Sequence, residues 1–184
     1  LTAAQNKLKK LSVTAPFTGR IIPASDSEGN ETSYRVGQQV SEGEVIGYMV
    51  DDSKMKLSLY FGTAYRNAIK SGQTATVSIP SAMSEVTGTV SSVEQSEKIS
   101  ADGVKMFRVE ITLNNPGTLT KGMTATATVS TSSDGTVYPA ESGTLAYSRE
   151  EAVTVQVGGE ITTVNGIDYY NYSSGATIMR LSSD

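Results

Sequence analysis

The sequence predicts an all-β protein, and three observations support this. Aromatic residues make up 7% of the chain and Trp is absent, whereas Thr, Ser, Val and Gly are abundant. This mixture suits thin sheets with a solvated face better than one thick core. Residues 54–61 alternate polar and apolar side chains, which is the period of a half-buried strand. Glycine and small polar residues interrupt the other apolar runs, as tight turns between short strands require.

Composition also argues against several classes of function. The formal charge of −4, with no basic stripe, argues against a nucleic-acid partner. Cys and His are absent, which removes the thiol nucleophile, the usual base near neutral pH and the most common zinc ligand. We therefore expect a protein that is not an enzyme, with no catalytic, cofactor-binding or metal-binding residue. No apolar run approaches the roughly 20 residues that span a bilayer.

Residues 1–11 predict a short helix, because they contain good helix formers without Gly or Pro. Leu1, Leu8 and Leu11 fall on one face of it. So short a helix is marginal in water, which leaves two interpretations, a frayed terminus or the last turns of a helical hairpin. Since the first residue is not Met, we expect a fragment of a longer protein or a processed chain, with any membrane anchor outside it.

Residues 12–52 predict short strands separated by turns. The segment APFTGRI at residues 15–21 is a strand with a Gly-marked turn, and residues 23–33 form a polar loop longer than a hairpin needs. The segment VSEGEVIGYMVDD at residues 40–52 adds a further turn and a buried strand.

Residues 53–131 predict a small antiparallel barrel of five or six strands. After the alternating strand, residues 63–70 predict one or two helical turns, capped by Thr63 and stopped at Gly72. Asp102-Gly103 predicts a hairpin, and Asn115-Pro116-Gly117 predicts a turn. Four more strands are predicted, at residues 73–80, 86–93, 105–113 and 123–130.

Residues 132–184 form the last predicted segment, after a polar break at residues 131–135. Gly159-Glu160-Ile161 resembles Gly19-Arg20-Ile21, and residues 173–178 resemble residues 41–46 at the same internal spacing. These similarities indicate a weak internal repeat.

The segments at residues 15–21 and 40–52 resemble the second lipoyl half-motif of bacterial periplasmic adaptors, also called membrane fusion proteins of hemolysin-secretion-type systems. The Asn-Pro turn and Gly-Met at residues 114–123 resemble the closing segment of the adaptor barrel. The resemblance implies lipoyl/biotinyl-like half-motifs, a barrel and the remnant of a helical hairpin. It also implies an extracytoplasmic, membrane-associated adaptor that links an inner-membrane transporter, ABC-type or proton-driven, to outer components. The full-length protein is then expected to self-associate into a ring.

The order of segments departs from that pattern, because the tail after the barrel resembles a first half-motif. Residues 132–184 are therefore either a second lipoyl-like half-motif or the membrane-proximal β-module that adaptors carry. Two half-motifs in one chain predict a specific arrangement, since each alone exposes an apolar face. One hypothesis is that they pair into a complete sandwich, with contacts between residues 13–50 and 145–181, and the alternative is that residues 132–184 are an independent module.

The sequence offers no residue for a carried cofactor. Lipoyl and biotinyl domains bear theirs on a Lys at the tip of the hairpin that joins the two halves, but the strand ends at residues 50–52 and 181–184 contain no Lys. Lys54 lies just beyond, within a strand pattern. A carboxylase or acyltransferase carrier domain would need a modified Lys. We therefore expect a lipoyl-like fold that carries no cofactor.

Polar clusters are better explained by solvation than by a site. Asp26, Glu28 and Asn30 alternate as in a calcium loop, but the Gly falls at the wrong place and Gly37 stands where a bidentate Glu is needed. The acidic pairs Asp51-Asp52 and Glu150-Glu151 point to opposite faces of a strand.

The tyrosines leave two interpretations open. Five of them could form a stacking platform for sugar, which would make the chain an extracellular carbohydrate-binding or adhesion module. Alternatively they fill half-buried strand faces, which we favour. These residues are Tyr138, Tyr147, Tyr169, Tyr170 and Tyr172. We expect Met83, Met106 and Met123 to lie in the barrel core.

Overall fold

The computed structural model describes residues 2–182 and confirms the all-β class. Within this range there is one α-helix, α1 (Thr2–Lys10), and the remaining regular structure is mainly strand. The thirteen strands of the described residues are β1 (Ser12–Thr14), β2 (Gly19–Pro23), β3 (Gln39–Val40), β4 (Val45–Gly62), β5 (Thr74–Ile79), β6 (Ser84–Ile99), β7 (Lys105–Asn114), β8 (Thr124–Ser130), β9 (Thr136–Val137), β10 (Gly143–Thr154), β11 (Gly159–Val164), β12 (Asn171–Tyr172) and β13 (Thr177–Ser182).

The chain divides into two compact units. The central unit is the continuous segment Asp52–Ser148, and the two-segment unit combines the residues up to Asp51 with those from Arg149 onward. The sequence placed a boundary near residue 131 instead. The structure differs because β9, which follows the polar turn, pairs with β8, and Val137 is buried in the central core.

The central unit is an antiparallel sheet whose strand order closes on itself. The order is β10-β8-β5-β6-β7-β4, and β10 also pairs with β4. Its longest register joins β4 to β7, from Lys54 opposite Asn114 to Gly62 opposite Met106. The predicted alternation is confirmed, since Met55, Leu57, Leu59 and Phe61 of β4 are buried while the residues between them are more exposed. Such closure leaves fewer free edges than an open sheet.

The turns of the central unit follow their sequence signals. Asp102-Gly103 lies in the hairpin between β6 and β7, where the amide of Ser100 donates to the carbonyl of Val104 at 2.9 Å. Gly103 and Gly117 both have positive φ, which a side chain would strain. Strand β6 continues to Ile99, six residues past its predicted end, because it pairs with β7 as far as that hairpin.

Of the one or two helical turns predicted for residues 63–70, the structure has one, and the predicted cap at Thr63 is wrong. Only Thr63–Tyr65 is helical, as a single 3₁₀ turn whose N-cap is Gly62 without a side-chain hydrogen bond. The side chain of Gln73 forms hydrogen bonds with two backbone groups that would otherwise bond within a longer helix. Its Nε2 donates to the carbonyl of Ala68 at 2.8 Å, and its Oε1 accepts from the amide of Lys70 at 2.9 Å.

The two-segment unit confirms the predicted pairing of the half-motifs. One sheet has the order β1-β13-β11-β3, and β12 pairs with β2, which pairs with the first part of β4. Strands from both ends of the chain therefore pair directly with one another, and they share one core. Its buried members are Val13, Ala15, Phe17, Ile21, Val40, Ile46, Met49, Val153, Val155, Ile161, Ile167, Ile178, Met179 and Leu181.

Helix α1 precedes this unit and buries none of its residues. Leu8 is exposed, whereas Leu11, just past the helix, packs against the core of the two-segment unit. The predicted apolar face includes Leu1, which lies outside the described residues.

Candidate functional site

The two half-motifs make matching backbone hydrogen bonds. The amide of Ala15 donates to the carbonyl of Ala176 at 2.9 Å, and the amide of Gly175 donates to the carbonyl of Ala15 at 2.8 Å. In the other half the amide of Val155 donates to the carbonyl of Glu44 at 2.9 Å, and Gly43 donates to Val155 at 2.7 Å. Gly43 and Gly175 both have positive φ, so the weak sequence repeat corresponds to a repeat of structure.

A second pair of equivalent hydrogen bonds extends the repeat and shows one position at which the two halves differ in residue type. The carbonyl of Ile161 accepts from the amide of Gly37 at 2.8 Å, and the carbonyl of Ile21 accepts from the amide of Tyr169 at 2.9 Å. Gly37 has a φ of 91°, and Tyr169, its counterpart, has a φ of 66°. A bulky residue with positive φ is uncommon, so the second half has a Tyr where the first has the residue type that this backbone favours.

Two glycines hold equivalent places at the start of β2 and β11. A Cβ on Gly19 would collide with the carbonyl oxygen of Val50, and one on Gly159 would collide with that of Ser182. Phe17, just before the first of these glycines, is buried, and the guanidinium of Arg149 lies 4.2 Å from the centre of its ring. Each glycine therefore allows a close approach of two strands within its own half, while Arg149 and Phe17 form a contact between the halves.

The chain passes from the two-segment unit to the central unit within a strand. Strand β4 runs on past Asp51 into the central unit, and the chain returns along β10. Lys54 lies within β4, opposite Asn114 of β7, rather than at a hairpin tip. Ser183 and Asp184, at the other predicted strand end, lie outside the described residues.

Asp26 organises the polar loop through the loop's own groups. Its Oδ1 accepts from the amides of Asn30 and Glu28, both at 2.9 Å, and its Oδ2 accepts from Nδ2 of Asn30 at 3.4 Å. The amide of Asn30, followed by that of Glu28, holds the pKa of Asp26 below its ordinary value, against the opposing effect of desolvation. The carboxylate that resembled a calcium ligand thus closes a turn.

Carboxylates do not converge elsewhere in residues 2–182, where no group of three or more Asp, Glu, His or Cys side chains is placed to hold a metal ion. Asp51-Asp52 lie in β4 and Glu150-Glu151 lie in β10, so each pair alternates across a strand. One groove of the two-segment unit, beside its N-terminal strand, measures about 300 Å³. It is lined by aliphatic and hydroxyl groups with one cation, among them Lys10, Val13, Thr14, Pro16, Val153 and Thr154.

The tyrosines divide between the two units. Tyr138 is exposed and Tyr147 packs against the core of the central unit. In the two-segment unit, Tyr172 is half-buried and its hydroxyl donates to the carbonyl of Gly166. Burial, with Tyr170 nearby, raises the pKa of Tyr172 above its ordinary value.

Two adjacent rings of this group face solvent, Tyr169 at 50% and Tyr170 at 59% exposure. The hydroxyl of Tyr169 donates to Oε1 of Glu31 at 2.5 Å. The ring of Tyr170 lies so close to Gly166 that a Cβ there would collide with it. Both rings are therefore held in place while they present a face to water.

The predicted core position is wrong for one methionine. Met106 is buried and Met123 packs against the central core, but Met83 is 95% exposed. The chain bends at Pro80–Ala82 between β5 and β6, and this turn directs Met83 into solvent. A local signal existed, because Met83 follows Pro80 and falls between the predicted strands at residues 73–80 and 86–93.

Comparisons with known proteins identified no match to a family model, a curated protein or a solved structure. Of the helices in residues 2–182, none has the length and apolarity needed to cross a membrane.

Proposed function

We propose that the chain is a non-enzymatic adaptor subunit of a bacterial transmembrane efflux or secretion system. In this role it links an inner-membrane transporter, ABC-type or proton-driven, to outer components. The full-length protein assembles into a ring outside the cytoplasm and is tethered by a membrane anchor that lies outside this chain.

The arrangement of the half-motifs is the observation that carries this proposal. Two half-motifs interleave their strands, and the strands that would form a carrier hairpin instead run into a barrel-like unit with no Lys at a tip. In this proposal the two-segment unit is a carrier-like scaffold without its chemistry, and the central unit is a second module, an arrangement that suits a spacer between proteins.

The test is capture of partners by the full-length protein in its own host. A tagged protein is cross-linked in intact cells, purified from membranes and analysed by mass spectrometry. We expect an inner-membrane transporter and further copies of the protein, and deletion of the gene is expected to reduce export. A Gly19→Ala/Gly159→Ala variant should lose these partners, whereas Gly62→Ala, whose added methyl group meets nothing within 4 Å, should retain them.

Recovery of neither a transporter nor a second copy, together with unchanged export in the deletion strain, would overturn the proposal. Carriage of a cofactor is tested separately by the intact mass after co-expression with lipoyl or biotinyl ligase. We expect the unmodified sequence mass.

The exposed rings of Tyr169 and Tyr170 favour a second candidate function, an extracellular carbohydrate-binding or adhesion module. Rigid aromatic faces bind with little loss of conformational entropy. This alternative requires glycan-array binding that is lost in Tyr169→Ala and in Tyr170→Ala. Tyr170→Phe is the matched control for the second variant, because it keeps the exposed ring and removes only the hydroxyl.

A further inference from the structure

We propose that Met83 is a site of reversible oxidation by peroxide. The chain has six Met and no Cys or Trp, so its thioethers are the side chains most readily oxidised by this class of oxidant. The reaction requires that the sulfur be accessible to solvent. Access therefore decides which methionine reacts.

One methionine is far more exposed to solvent than the other five. Met83 is 95% exposed, and Met123 is only partly buried against the central core. The remaining four are at most 1% exposed, and they are Met49, Met55, Met106 and Met179. A peroxide molecule can reach their sulfurs only after local unfolding, whereas it meets Met83 in the native protein.

The backbone supplies an independent observation. Met83 follows the 3₁₀ turn Pro80–Ala82 with a φ of 47° and a ψ of 38°, the left-handed conformation that favours Gly or Asn. Its amide donates to the carbonyl of Pro80 at 3.0 Å, and the hydroxyl of Ser84 donates to the carbonyl of Ala82 at 3.1 Å. This turn holds an apolar side chain in water in a strained conformation. Strain at an exposed residue points to a use for its side chain.

The chemistry is a balanced transfer of one oxygen atom. The Met83 sulfur attacks one oxygen of hydrogen peroxide, an S–O bond forms and the O–O bond breaks. The second oxygen leaves as water after a proton moves to it. Sulfur loses two electrons and peroxide gains them, so no further co-reactant is needed. A methionine sulfoxide reductase supplied with thiol electrons reverses the change.

Oxidation of Met83 makes one exposed side chain more polar and leaves the stability of the fold unchanged. Oxidation of a buried methionine places a polar sulfoxide in the core and destabilises it. The sulfoxide of Met83 lies in water, so the oxidised protein is expected to unfold at the same denaturant concentration as the reduced protein.

The experiment treats the intact chain with hydrogen peroxide and follows each methionine by peptide mapping and mass spectrometry. We expect the peptide that contains Met83 to gain one oxygen atom at least about tenfold faster than any other. In guanidinium chloride all six methionines should react at similar rates, because unfolding removes their protection. Reductases for both sulfoxide epimers, with dithiothreitol, should return the native protein to its original mass.

Met83→Leu is the matched control, since it keeps the size and apolarity of the side chain and removes the sulfur. This variant should lose the fast oxygen uptake while the slow uptake at the other sites is unchanged. Protection of Met83 in the unaltered protein, or equally fast reaction at Met123, would overturn the site. Failure of both reductases to restore the mass would overturn its reversibility.

Discussion

At the scale of single residues, the side-chain amide of Asn115 stabilises the turn that follows β7 through four hydrogen bonds. Its Nδ2 donates to the carbonyls of Asp52 and Leu119, both at 2.9 Å. Its Oδ1 accepts from the amides of Gly117 and Leu119, at 2.8 and 3.1 Å. One half-buried side chain thus satisfies four backbone groups that strand pairing leaves over.

We expect Asn115→Ala to lower the free energy of unfolding by about 2–3 kcal/mol, because partly buried backbone groups lose their partners. Denaturant titration followed by circular dichroism measures this loss. Asn114→Ala, at the exposed neighbouring position, is the control and should stay within about 0.5 kcal/mol of the parent. A loss in Asn115→Ala no larger than in the control would contradict the role of the amide.

The lowered pKa of Asp26 predicts a pH dependence of the polar loop. The folded loop favours the ionised carboxylate, so its stabilising effect is fully present above the ordinary value of 3.8 and is lost as the pH falls through the lower folded value. We expect the amide resonance of Asn30 to shift in acid with a midpoint below 3.8, as followed by NMR. Asp26→Asn should abolish this titration, and a midpoint above 3.8 would contradict the sign.

At the scale of elements, the two glycines that begin β2 and β11 decide how closely neighbouring strands approach. We expect Gly19→Ala and Gly159→Ala each to cost about 2 kcal/mol, since the added methyl group meets a backbone carbonyl that cannot rotate away. Gly62→Ala is the control, because its methyl group enters open space. Thermal unfolding measures all three, and equal midpoints for the three variants would show that the strands adjust without cost.

The repeat itself belongs to this scale. Each half-motif forms backbone hydrogen bonds with the other. Ala15 bonds to residues 175 and 176, and Val155 bonds to residues 43 and 44. Strand β2 pairs with β4 in the first half and β11 pairs with β13 in the second, but β1, β3 and β12 each pair with a strand of the other half. Neither half is therefore a complete folding unit by itself.

At the scale of the whole molecule, this interleaving predicts different behaviour of the two units. The segment 52–148 contains its own core and a closed strand order, so we expect it to fold alone. Segments 1–51 and 149–184 should each be unfolded alone and should fold when mixed. Dispersion of amide resonances in NMR spectra measures this.

A mixture in which segment 149–184 carries Gly159→Ala should associate more weakly and serves as the control. Independent folding of segment 1–51 would contradict the interleaved arrangement, and failure of segment 52–148 to fold would contradict its self-sufficiency.

Much of the local structure could be predicted from sequence, because it rests on local rules. The alternation in β4 and the hairpin at Asp102-Gly103 follow from side-chain period and turn chemistry. Features that the side-chain period does not register were missed. The cap of the helical turn is Gly62 rather than Thr63, and Met83 is directed outward by the turn at Pro80–Ala82.

The sequence by itself determined the all-β class and the positions of most strands and turns, since these depend on composition, period and spacing along the chain. Only the tertiary structure decided the order in which strands from the two ends of the chain pair, that a Tyr occupies the left-handed position held by Gly37 in the other half, and which methionine meets solvent. Those outcomes depend on long-range pairing, in which burial is decided jointly by residues far apart in the chain.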